Sequence, residues 1–234
     1  LAGYLLGDGS VSEQNATFTN ADLDIVADAT QVAGEVGFNL KPIKSSKYGY
    51  GLSSKDNHHK PETLNPRKWI RLRKIGGNSY TKTVPAWVFS ATPDRIARYI
   101  GAYFACDGCV DSCDTAFRIT FCSVSKTILD AIQHLLLRFR ITSSIRLRTI
   151  KYKGEMRPYY ILTISGQHNV ALFAKQIPVA GRKGEKLKRG NPKLQGFDGL
   201  LAADDIVKIS NGGLRPCRCL TIDTDHTFTI SDVV

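Results

Sequence analysis

The chain has 234 residues, 42% of them hydrophobic, enough for one large or two small domains around a buried core. Its 32 Lys and Arg stand against 21 Asp and Glu, a formal charge of +11 that suits a polyanionic partner such as nucleic acid or, less often, an acidic membrane surface. No apolar run approaches the roughly 20 residues that a membrane span needs, and no secretion-signal pattern opens the sequence, so an intracellular protein of the cytoplasm or nucleoid is expected.

The first predicted element is the apolar helical run Leu1-Ala2-Gly3-Tyr4-Leu5-Leu6-Gly7, stopped by Asp8-Gly9. A short strand at 16–19, an amphipathic helix from Ala21, strands between Leu40 and Lys55 and a further strand at Trp69 to Arg73 follow. The opening construction then returns as Ile100-Gly101-Ala102-Tyr103-Phe104-Ala105-Cys106, stopped by Asp107-Gly108. Behind it come a strand at Phe117 to Cys122, a helix from Ser125 to Arg140, and strands at Ile145 to Lys153 and Tyr159 to Ser165. An α/β fold of two pseudo-symmetric repeats follows, with halves at 1–96 and 97–189 and a tail at 190–234.

Charge is sided within this repeat. Between Leu40 and Lys74 there are ten basic residues against two acids, and between Arg138 and Arg157 seven against one. Alternation in Ile70-Arg71-Leu72-Arg73 and in Ile145-Arg146-Leu147-Arg148 puts apolar side chains on one face and arginines on the other. Either strand alone suits a solvated face; two matching basic antiparallel sheets suit the DNA major groove, where Arg and Lys reach guanine edges and phosphates. Arg71, Arg73, Arg118, Arg146, Arg148, Lys44, Lys151 and Lys153 are the candidate DNA-binding residues.

A carboxylate in the last turn of a helix sits at the negative end of the helix dipole, a cost that calls for an offset. One such Asp before a Gly cap is ordinary surface; the same placement twice, at Asp8 and Asp107, is not. Small residues stand four apart on each helix, Gly3 and Gly7 on one, Ala102 and Cys106 on the other, a spacing that lets two backbones approach closely. Packed there, the helices bring Asp8 and Asp107 together. An oxygen-only cluster suits Mg2+, with the carbonyls of Gly7 and Cys106 completing the shell. Cys106, Cys109 and Cys113 admit a zinc alternative, against which stand the lack of a neighbouring His and of paired-Cys spacing. The six cysteines are otherwise expected reduced, His58 and His59 on a polar surface loop, and Trp69 and Trp87 in packing roles.

The two runs ending in Asp8 and Asp107 resemble the paired motifs of the LAGLIDADG homing endonucleases in their single-chain form; the second departs from the family pattern at Ile100-Gly101-Ala102 and Ala105-Cys106. The resemblance covers about Leu1 to Arg189. It implies a monomer with a saddle of two αββαββα halves, a long pseudo-palindromic duplex DNA target, and a metal-dependent double-strand break that leaves 3′ overhangs. Mg2+ would support cutting, and Ca2+ would bind without efficient cleavage. A basic residue per half beside the site is also implied. Lys82 lies 74 residues after Asp8 and Lys183 lies 76 after Asp107, which favours this pair as catalytic over Lys175 and Lys186. The stretch from Cys219 to Ile230, with His226, resembles the C-terminal splicing segment of an intein, so an intein-derived nuclease without splicing ends is expected. A non-cleaving DNA-binding protein or an RNA maturase of the same fold is the alternative.

Overall fold

The computed structural model describes residues 1–11, 16–55, 65–113, 116–152 and 154–189, with the isolated residues 211 and 213. Lys153, His58, His59, Cys217, Cys219, His226 and nearly all of the 190–234 tail therefore lie outside the described residues.

The first half runs α1 (Ala2–Gly7), β1 (Gly9–Val11), β2 (Ala16–Thr19), α2 (Leu23–Glu35), β3 (Phe38–Pro42), β4 (Gly49–Ser54) and α3 (Pro66–Leu72). After a 3-10 turn at Ala86–Ser90 the second half repeats the order: α4 (Pro93–Asp107), β5 (Gly108–Cys113), β6 (Ala116–Ser123), α5 (Lys126–Leu137), β7 (Ser144–Tyr152), β8 (Glu155–Ile164) and α6 (Gln167–Gln176). A last helix, α7 (Gly181–Arg189), has no helical counterpart among the described residues of the first half. Each half forms a four-stranded antiparallel sheet, ordered β1-β2-β4-β3 and β5-β6-β8-β7. Gly9 opposite Phe18 and Gly108 opposite Phe121 set the equivalence of the halves.

Local chemistry explains the helices. Asp22 caps α2, its carboxylate accepting from the Asp24 amide at 3.1 Å, and Ile25, Val26, Ala29 and Ala33 form the buried stripe. Ile128, Leu129, Ile132, Leu135 and Leu136 do the same for α5. Pro93 starts α4 at a position where no amide partner is needed. Around these helices the aromatic core of Tyr103, Phe104, Phe121 and Phe173 is fully buried.

Residues 69–73 depart from the sequence expectation. Trp69 to Arg73, expected as a strand, lies on helix α3 and its cap. Asn65 caps it through the Arg67 amide at 2.9 Å and Pro66 occupies its first turn, a start signal that outranks four residues of alternation. Ile70 and Pro66 face the core while Leu72, an apparent core residue by alternation, is 69% exposed. Arg71 and Arg73 therefore decorate a helix that packs on β4 and are not on a sheet face.

Candidate active site

Helices α1 and α4 cross at the stepped small residues. A Cβ on Gly3 would overlap the Tyr99 carbonyl and come within 2.9 Å of the Ala102 Cβ; one on Gly7 would overlap the Cys106 Cβ and lie 3.6 Å from an Asp107 carboxylate oxygen. Only a bare backbone allows so close an approach, and it brings both helix C-termini, with Asp8 and Asp107, to one place at the seam of the halves.

Asp8 is half-buried, and the Asn20 side-chain amide donates to it at 2.7 Å. Asp107 is open to solvent at the mouth of the site, yet desolvation by the crowded helix ends, and then the charge of Asp8, push its carboxyl up to about 6. Charges from Lys82 and Lys183 oppose that rise without cancelling it. The Cys106 thiol is pushed far up, first by burial and then by Asp8, so it stays protonated and offers no thiolate to a soft metal.

Each lysine caps the helix of its own half. The Lys82 ammonium donates to the carbonyls of Leu6 at 2.9 Å and Gly9 at 2.7 Å, with Leu5 at 3.3 Å and Gly7 at 3.4 Å. Lys183 donates to the carbonyls of Ala105 and Cys106, both at 2.7 Å, and to Phe104 at 3.4 Å. Helix C-termini leave these carbonyls without partners, and a cation there also meets the favourable end of the dipole. Desolvation lowers the pKa of both ammoniums, against the raising effect of the acidic side chains around them. Lys186 reaches the Val110 carbonyl at 2.6 Å instead, and Lys175 is exposed in the last turn of α6.

The carbonyls of Gly7 and Cys106, anticipated as metal ligands, thus already accept from lysines. A carbonyl has two lone pairs, so each retains one for a cation. Among the described residues no group of three or more His, Cys, Asp or Glu side chains is placed to hold a metal. Cys106, Cys109 and Cys122 are free thiols.

The open faces of the two sheets are unequal. Strand register places Arg118, Arg146, Arg148 and Arg157 on the solvent face of the second sheet, opposite Asp111, Ile161, Tyr159 and Ile150 respectively. Lys151 pairs with Met156 on the face that carries Ile145 and Leu162, so it points away from those arginines. In the first sheet the open face holds Ser10, Thr17, Asn39, Lys41, Gly51 and Ser53, with Lys44 exposed in the β3–β4 turn. In place of the two matching basic sheets that alternation predicts, the protein has one strongly basic face and one mostly neutral face. The first half's exposed arginines and two of its lysines sit on and just after α3, at Arg67, Lys68, Arg71, Arg73 and Lys74, while Lys41, Lys44, Lys47 and Lys55 are spread over β3, the β3–β4 turn and the end of β4. Neither Asn20 nor the Lys186 contact stands out in the sequence. The Asn20 position, directly after the strand that pairs with Gly9, is the one signal that could have pointed to it.

Residues 94–178 match the family model of a LAGLIDADG-like domain. Among curated proteins, the chain is 28% identical over 214 residues to protein RecA of Mycobacterium tuberculosis, covering 82% of this chain and 26% of that one. It is 29% identical over 191 residues to the replicative DNA helicase DnaB of Synechocystis, covering 76% and 21%, and 29% identical over 172 residues to a probable translation initiation factor of Methanocaldococcus jannaschii, covering 74% and 14%. The chain spans about a quarter or less of the length of these relatives. Among solved structures, variants of the homing endonuclease I-DmoI align with a TM-score of 0.50 at 13% identity, over 80% of this chain and 94% of that one. The homing endonuclease I-WcaI bound to its DNA recognition sequence aligns equally well at 16% identity, over 80% and 83%. Full-length WhiA from Thermatoga maritima has a TM-score of 0.50 at 12% identity, over 83% and 59%.

Proposed function

We propose, from the match of residues 94–178 to a LAGLIDADG-like domain and the same order of elements in the first half, that this protein is a site-specific endonuclease that cuts both strands of a long pseudo-palindromic DNA target. The observation that carries the reading is the convergence of Asp8 and Asp107 at the crossing of α1 and α4, with a lysine from each half closing on the helix ends.

The donor set fits a hard divalent cation. Two carboxylates meet at two helix C-termini, where hard oxygen donors gather; desolvation first, and then the charge of Asp8, raise the pKa of Asp107 against the opposing charge of both lysines. Asp8 and Asp107 would hold Mg2+, with the free lone pairs of the Gly7 and Cys106 carbonyls beside them, and the ion would supply activation of water and stabilisation of the leaving oxygen. Lys82 and Lys183, held on the helix-end carbonyls, would place positive charge beside a bound phosphate. Arg118, Arg146 and Arg148 lie on the open sheet face and would hold the duplex. Cleavage across the minor groove with 3′ overhangs is part of the same reading, as is action as a monomer, since one chain supplies both acids.

An intein origin is supported by the company of relatives. Proteins carrying names as different as RecA, a replicative helicase and an initiation factor each match over most of this chain and over only a minor part of themselves. A mobile insertion explains that pattern.

The test is a supercoiled plasmid carrying the rejoined DNA that flanks the insertion point, incubated with the purified protein. Linear product in Mg2+, bound but uncut plasmid in Ca2+, and loss of double-strand cutting in both Asp8→Asn and Asp107→Asn are expected. Tight binding without cutting in any divalent ion would leave the fold serving a binding role and end the nuclease reading.

A further inference from the structure

The two half-sites are built on one plan, but their supporting contacts differ. Superposing the halves by register makes Asn20 equivalent to Ser123 and Asp22 equivalent to Ser125. In each half the capping residue of the second helix reaches the lysine-bearing segment of the other half. Asp22 accepts from the Arg182 amide at 3.3 Å and lies 3.5 Å from its guanidinium; the Ser125 hydroxyl donates to the Lys82 carbonyl at 3.5 Å. Each lysine is thus held by the helix of its own half and braced by its neighbour's cap.

From the brace back to the carboxylate the symmetry stops. Asn20 accepts from the Asp22 amide at 2.8 Å through its side-chain oxygen and donates to Asp8 at 2.7 Å through its nitrogen. Ser123 likewise accepts from the Ser125 amide, at 3.1 Å, but its hydroxyl is engaged with Tyr103. It is also too short to copy an amide that spans both groups. An unbroken chain therefore runs Asp8, Asn20, Asp22, Arg182, Lys183, whereas among the described residues no hydrogen bond joins Ser123 to Asp107 on the other side.

We propose that Asn20 is a positioning residue that fixes the Asp8 carboxylate and, through Asp22 and Arg182, ties it to the segment that carries Lys183, so that the two DNA strands are cut at unequal rates set by this one-sided link. The proposal rests on the nuclease reading for its catalytic consequence and on contacts alone for its structural one. Asn20 need not touch DNA. Its amide acts by orienting a carboxylate that does the chemistry, and loss of such an outer partner costs on the order of 10-fold to 100-fold in activity.

Two measurements on the full chain test it. Amide hydrogen exchange needs no substrate: Asp22→Asn and Asn20→Ala should each speed exchange of the Arg182 amide and the first turn of α7 several-fold, and Ser123→Ala should not. The second uses the insertion-site duplex with the two strands separately end-labelled, in Mg2+. Asn20→Ala and Asn20→Ser should slow cutting of one strand by about tenfold more than the other, so that nicked circles accumulate from plasmid, whereas Ser123→Ala should leave the strand ratio unchanged. Equal slowing of both strands, or unchanged exchange at α7 in both variants, would overturn the proposal. Failure of the wild-type chain to cut at all would count against the nuclease reading, while the exchange measurement still decides the link.

Discussion

Asp107 carries an uncomfortable charge, first because the crowded helix ends desolvate it and then because Asp8 stands beside it. Its folded pKa of about 6 lies above the ordinary 3.8, so ionising it opposes folding. That penalty is absent below about 3.8 and grows as pH rises through about 6. The side chain is open to solvent at the site's mouth, and screening brings the nominal cost down to about 1 kcal/mol. Asp107→Asn is therefore expected to raise Tm by a few degrees at pH 8 without divalent ions, and to lose that advantage near pH 3.5. Adding Mg2+ should raise the Tm of the wild type and leave the variant unmoved, since a ligand stabilises only the state that binds it. Thermal melts across pH, with and without Mg2+, check both. The cutting rate should fall at acid pH, where protonation of Asp107 competes with Mg2+ binding, and higher Mg2+ should move that fall to lower pH.

At the scale of elements, the crossing of α1 and α4 decides whether a site exists. Alanine in place of glycine within a helix gains about 1 kcal/mol of intrinsic propensity. At Gly3 the added methyl would meet the Tyr99 carbonyl and the Ala102 Cβ, both in buried surroundings that yield little. Overpacking of that kind costs roughly 1–3 kcal/mol, so Gly3→Ala should be net destabilising and Gly3→Val more so, read as lowered denaturant midpoints. This crossing was legible in the sequence, because a repeated Asp-Gly stop and a four-residue step of small side chains are local patterns with one steric meaning. The α3 helix was not. Ile70-Arg71-Leu72-Arg73 fits a period of two as well as a helix edge, and only the Asn65-Pro66 start, upstream of the alternation, separates them. The resemblance implied a basic residue per half, and matching offsets chose Lys82 and Lys183, which the structure places on the two helix ends; Asn20 was hidden because its contact with Asp8 crosses the sheet's end, which no spacing rule encodes. Asn65→Ala should remove the α3 cap and cost about 1 kcal/mol, a small loss on chemical denaturation with no effect on the α1–α4 seam.

Across the whole molecule, the positive charge is divided between two kinds of surface. The second sheet presents Arg118, Arg146 and Arg148 on its open face, whereas the first sheet presents Lys41 among small polar residues and keeps its arginines on α3. A duplex laid across both sheets would meet most of its countercharge on one side, so the two half-sites of its target would be held with unequal strength. The β7 register makes this testable with an internal control. Arg148 and Lys151 lie on one strand, with side chains on opposite faces. Removing one phosphate-binding cation reduces the slope of log affinity against log salt by about 0.9. Arg146→Ala and Arg148→Ala should each flatten the slope by up to that amount, or relax base preference in their half-site if they read a guanine instead. Lys151→Ala, which removes the same charge, should change the slope far less, because general field effects on binding are screened within about 10 Å at 0.1 M salt. Binding isotherms on the insertion-site duplex in Ca2+, at several salt concentrations, separate the two. Equal effects from Arg148 and Lys151 would mean that net charge, and not the face of the sheet, attracts the DNA.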